Sequence, residues 1–151
     1  MVKTECQHII DEVYPKIKEH YGLSKFDART KSPEVKLHHN IYARVSGIDE
    51  MEGECSPAAE YDRFTNTIWI YFPEATNKQW VIGSMLHEYR HYLQDDGEFK
   101  RLYKTYGYDN HPFEIEATKE EENWKTYAKM FGEAKEPQDI YRTGQVIRQR
   151  Q

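Results

Sequence analysis

The sequence predicts an α+β domain, and three observations predict it. Apolar side chains recur at helical spacing over the first twenty or so residues. The stretch between residues 35 and 72 alternates, or runs β-branched and aromatic residues together. Two later stretches, opening near residues 76 and 112, return to a helical period. The expected order is an N-terminal helix, a small mixed or antiparallel sheet, a helix carrying a pair of histidines, and a second helix carrying further acidic residues.

Ile9, Ile10, Val13, Ile17 and Tyr21 define the apolar stripe of the first helix, which Gly22 stops. Pro15 interrupts it, so either a kink or a fresh short helix is expected there. Residues 23–33 read as a loop. Val35, Leu37, His39, Ile41, Ala43 and Val45 then alternate with polar neighbours, the period of a strand. The Gly-rich, acidic stretch 46–57 reads as a connection, 58–64 as a second strand, and Thr65-Asn66 as a turn. Residues 67–72 are β-branched or aromatic throughout, which favours a third strand ended by Pro73.

Thr76 and Gln79 form a T-x-x-Q capping pattern, and Val81, Ile82, Met85, Leu86, Tyr89, Tyr92 and Leu93 carry a helix toward Gly97. Pro112 suits a first helical position, so the next helix is expected from there to about Phe131, with Gly132 as its end. The domain is accordingly placed at residues 1–132, with 133–151 as a polar C-terminal tail.

Composition narrows the function classes. A chain of 151 residues suits one core, and one of that size buries about two thirds of its unfolded surface. Aromatic residues reach 14%, so the low mean hydropathy of -0.97 reflects charges around an aromatic core and not disorder. A net charge of -5 argues against nucleic acid, whose phosphates require a basic patch; only Arg142, Arg148 and Arg150 in the tail are locally basic. No apolar run approaches membrane-spanning length, and the N-terminus lacks the apolar stretch of a signal peptide. Cys6 and Cys55 form neither a metal-binding pair nor a disulfide framework, and an intracellular, cytoplasmic setting is expected.

The chemistry concentrates at residues 87–91, His-Glu-Tyr-Arg-His, an H-E-x-x-H pattern inside the strongest helix. Residues four apart share a helix face, so the His87 and His91 imidazoles can take one ion. Glu88, about 100° around the axis, can reach a water activated by that ion and act as general base. Small Gly83 and Ser84 lie one turn earlier on nearly the same face.

A catalytic zinc takes three protein ligands and leaves a fourth position open. Downstream, Glu114 and Ala117 form E-x-x-A on the next helix. Glu114 is the expected third ligand, and Ala117 would leave room for the helices to approach. Glu116 and His111 are its rivals. Asp95, one turn beyond His91, is a candidate to accept the outer N–H of a ligating ring. Tyr103, Tyr106, Tyr108 and His111 are candidates to donate to an oxyanion. His38 and His39 alternate across a strand and read as ordinary strand residues.

With His87, Glu88 and His91 followed by Glu114 and Ala117, the chain resembles the gluzincins, the glutamate-ligand group of the zincin metallopeptidases. The resemblance spans roughly residues 67–120. Several gluzincin families continue E-x-x-A with Asp or Asn, where this chain has Thr118. A ligating His111 would instead resemble the SprT-like group. The resemblance implies a zincin-like fold, one Zn2+ ion and a peptide or protein substrate, with strand 67–72 flanking the cleft and pairing with an extended peptide. It also resembles compact metallopeptidase-like proteins of bacteria and bacteriophages, in which an assembly or virion-associated role is the alternative. No nucleic acid or membrane partner is expected; the tail is where a protein partner contact is expected.

Overall fold

The structure is a computed structural model and describes residues 2–27, 29–39, 59–72 and 77–132. Helix α1 (Lys3–Tyr21) is followed by strands β1 (Glu34–His38), β2 (Ala59–Asp62) and β3 (Thr67–Tyr71). Helices α2 (Lys78–Leu93), α3 (Asp96–Tyr106) and α4 (Pro112–Glu120) come next. A 3-10 turn (Glu121–Asn123) then leads into α5 (Trp124–Gly132).

The α+β class and the three strands stand as expected, and the sheet is mixed. β3 is its centre, parallel to β1 and antiparallel to β2, with Val35 opposite Ile68 on one side and Tyr61 opposite Ile68 on the other. This corrects one expectation. A strand flanked on both sides has its ladder groups already paired, so β3 is not open to a peptide; among the described residues β1 and β2 are the outer strands. The expected continuation of β1 from Asn40 to Val45 lies outside the described residues, as do Thr76 and the tail 133–151.

α1 runs unbroken through Pro15. Proline deletes one helical hydrogen bond at a cost of about 3 kcal/mol or more. Ile10, Val13 and Ile17 around it are buried, each contributing roughly 1.5–3 kcal/mol at most, and together they outweigh that loss. They pack with Ile68 and Ile70 of β3 and Val81, Ile82, Met85 and Leu86 of α2 into one core.

Further along the same buried face of α2, tyrosine hydroxyls fasten the loop after α1. Tyr89 donates to the Gly22 carbonyl at 2.6 Å. Tyr92 accepts from the Ser24 N–H at 3.0 Å and donates to the Lys31 carbonyl at 3.1 Å. Buried tyrosines thus fill the core with their rings and satisfy loop backbone with their polar tips.

Three helix boundaries depart from expectation. Asn77 caps α2, its side chain accepting from the Trp80 N–H at 3.0 Å, in place of a Thr76 cap. Gly97 does not end α2. The helix stops at Leu93, and Asp95 accepts from the Gly97 N–H to cap α3, a helix the sequence reading missed although Phe99, Leu102, Tyr103 and Tyr106 fall at helical spacing. Finally, the helix expected over residues 112–131 is broken by the 3-10 turn Glu121–Asn123, where Glu120 is held by Arg90 and Glu121 by His87, both on α2.

Candidate metal centre

α2 presents His87 and His91 one turn apart on one face, with ring centroids 5.0 Å apart. α4 lies against that face. His111 starts α4, its Nδ1 accepting from the Phe113 N–H, and places Glu114 in the first turn; Ala117, fully buried, is the next residue inward. The Glu114 carboxylate bridges the two histidines: Oε2 lies 2.9 Å from His87 Nε2, and Oε1 lies 2.9 Å from His91 Nε2. The three expected ligand residues therefore converge, their ligand atoms lying within 4.8 Å of one another.

The far side of each ring is also held. Glu121, from the 3-10 turn, approaches His87 Nδ1 at 2.6 Å, and Gln94 Oε1 approaches His91 Nδ1 at 2.8 Å. The Gln94 amide has one sensible orientation, because its nitrogen donates to the Phe113 carbonyl at 3.0 Å and to Glu116 at 2.7 Å. Its oxygen must then face His91, so His91 Nδ1 carries a proton. Glu121, a carboxylate, imposes the same state on His87 Nδ1. Both rings consequently point Nε2 at Glu114, the arrangement in which an imidazole offers that nitrogen to a metal.

Proton counting tests the fit to a cation. Without one, His87 is held as an imidazolium between the Glu114 and Glu121 carboxylates, with His91 Nε2 against the other Glu114 oxygen. A divalent ion would supply the positive charge between the Nε2 atoms and Glu114, while Nδ1 keeps its partner in each ring. Two imidazole nitrogens and a carboxylate are a donor set of the borderline-soft type. His87, His91 and Glu114 could hold a metal ion.

The local fields favour positive charge at this point. Burial alone would lower the His87 pKa, but hydrogen bonds to Glu114 and Glu121 outweigh it and lift it to about 10. Burial would raise Glu114, yet the hydrogen bonds from His87 and His91 hold it well below the usual carboxylate range. Glu88 is 8% exposed, and its burial pushes its carboxyl up against the opposing pull of both histidines.

Two cavities of about 350 and 360 Å³ open beside this centre, and Ala59, Glu88, Tyr108 and Glu114 line both. Glu88 thus faces the space beside His87, His91 and Glu114. Of the tyrosines considered as oxyanion donors, only Tyr108 lines these cavities; Tyr103 and Tyr106 line neither. Burial, then the charges of Glu114 and Glu88, raise the Tyr108 phenol, which keeps it a protonated donor at neutral pH.

The rivals are occupied elsewhere. His111 is fully buried, with Nε2 2.8 Å from the Phe99 carbonyl and Nδ1 used in the cap. Glu116 accepts from Gln94, and Asp95 caps α3. His38 and His39 stack on each other at 4.7 Å and take no part in the group around Glu114. The two supports that sequence reasoning missed had signals: Gln94 follows His91 by three residues at the helix end, and Glu121 follows Glu114 by seven, two helical turns.

Fold and site define an α+β protein with a largely buried His-His-Glu group suited to a divalent cation. No family model matches the chain, and neither a curated protein nor a solved structure matches it.

Proposed function

We propose that the chain is a zinc-dependent peptidase in which His87, His91 and Glu114 hold one zinc ion and Glu88 is the general base. One observation carries this reading: two imidazole Nε2 atoms converge on a single carboxylate beside a buried glutamate from the same helix. Three protein ligands are the usual complement of a catalytic zinc, whereas a structural zinc takes four.

When bound, zinc supplies Lewis acidity that polarises a carbonyl and makes water nucleophilic near neutral pH. The remaining work belongs to the chain. Glu88 takes a proton from the attacking water as its oxygen bonds to the peptide carbon, and returns that proton to the amine as the C–N bond breaks. Its burial raises its pKa toward the working range of a general base. Tyr108 donates its hydroxyl hydrogen to the oxyanion that develops on the carbonyl. Gln94 and Glu121 hold the rings, and the margin of β2 pairs with an extended substrate.

Glu88→Gln is the test. With zinc content unchanged, hydrolysis of an unfolded protein substrate should fall at least about 100-fold. Equal activity in variant and wild type rejects the mechanism. An absence of turnover in both favours the alternative, a structural or virion-assembly protein that keeps a zincin-like site.

A further inference from the structure

We infer that the cleft sorts its polypeptide by two unlike side chains, a cationic one on the His87 side and a large apolar one on the His91 side. The inference rests on the peptidase reading, which lays an extended chain along β2 and across both cavities.

The cavities meet at Glu88 and Glu114 but differ in chemistry. On the His87 side the walls include Trp80, Gln79, Ser84 and Glu121. Trp80 is 51% exposed, and the Glu121 side chain, which spends Oε2 on His87 Nδ1, is still 44% exposed. Among the described residues, carboxylates line this cavity and no lysine or arginine does. An indole face beside a carboxylate attracts an ammonium or guanidinium group by cation–π and Coulomb attraction together. Gly83 lets the Glu121 stem pack close against α2, 3.7 Å from where a Cβ would stand, which sets that carboxylate at the cavity wall.

On the His91 side the walls include Tyr61, Phe99 and Tyr108. Charges are present there but are engaged within the fold. Arg63 donates to the His91 carbonyl at 2.8 Å, pairs with Asp96 at 3.3 Å and lies over the Tyr61 ring, while Glu60 accepts from the Tyr71 hydroxyl at 2.8 Å. Aromatic surface is what remains for a ligand. A cavity of about 360 Å³ walled this way takes a phenylalanine-sized side chain.

The test measures binding and cleavage separately. Peptides carrying Lys and Phe on opposite sides of a central bond, in both orders, are titrated into zinc-loaded Glu88→Gln protein by calorimetry. In one order, the Lys/Phe peptide should bind about tenfold more tightly than peptides with Glu for Lys or Ser for Phe. Trp80→Ala, at a half-exposed position, should abolish the Lys preference and keep the Phe preference. Equal affinities across the set overturn the inference. Discrimination in binding without cleavage by wild type overturns the peptidase reading alone, and cleavage without discrimination overturns the sorting alone.

Discussion

His91 Nδ1 and Gln94 Oε1 lie 2.8 Å apart, and the Gln94 amide is locked in that orientation by its two donations to α4. The residue therefore fixes the tautomer of a ligand ring and ties the end of α2 to the helix carrying Glu114. Gln94→Leu keeps the volume and removes the acceptor. Zinc affinity should fall about 10- to 100-fold, measured by competition with a chromophoric chelator. An unchanged affinity would show that the ring needs no such support.

The pH dependence of stability should reverse when zinc is added. In the metal-free protein the raised His87 pKa contributes stability that is fully present below its unfolded value of 6.5 and is lost as pH rises toward about 10. The lowered Glu114 pKa contributes stability above its unfolded value of 4.5, lost only as pH falls below that. Zinc must displace the His87 proton, so its stabilisation grows over the range in which the metal-free ion pair weakens. Thermal melts at pH 6 and pH 8, with and without buffered zinc, check this. The rise in Tm on adding zinc should be larger at pH 8, and an equal or smaller rise contradicts the proton exchange.

Tyr108→Phe removes a hydroxyl and little else. With Tyr108 half exposed at the cavity wall, folding should be unaffected; because its hydroxyl also hydrogen-bonds Glu114, activities are compared at equal zinc content. kcat should fall about 100-fold with KM nearly constant, as expected for a donor used mainly in the transition state. A change confined to KM would instead make Tyr108 a ground-state contact.

The parts of this site legible in the sequence are those governed by local period. His87, Glu88 and His91 follow from the H-E-x-x-H pattern on a helix, and Glu114 from the E-x-x-A pattern after Pro112, where Glu116 and His111 stayed as rivals. What stayed hidden depends on residues that meet only in the folded chain. Gln94 and Glu121 are ordinary polar residues until α4 and the 3-10 turn bring them to the rings. Strand order is equally non-local: β3 has the most strand-like composition, and that same apolar character puts it at the centre of the sheet, leaving β2 beside the cavities. Gly97 misled for a local reason. Glycine follows helix ends often, but here the Asp95 side chain before it begins another helix.

The central claim is that three side chains share one cation. Crystals of the zinc-loaded protein, measured at the zinc absorption edge, test it most directly. One anomalous peak per chain, at about 2.0–2.2 Å from His87 Nε2, His91 Nε2 and a Glu114 oxygen, is the predicted result. Zinc absent from that point, or bound there without Glu114, would contradict it.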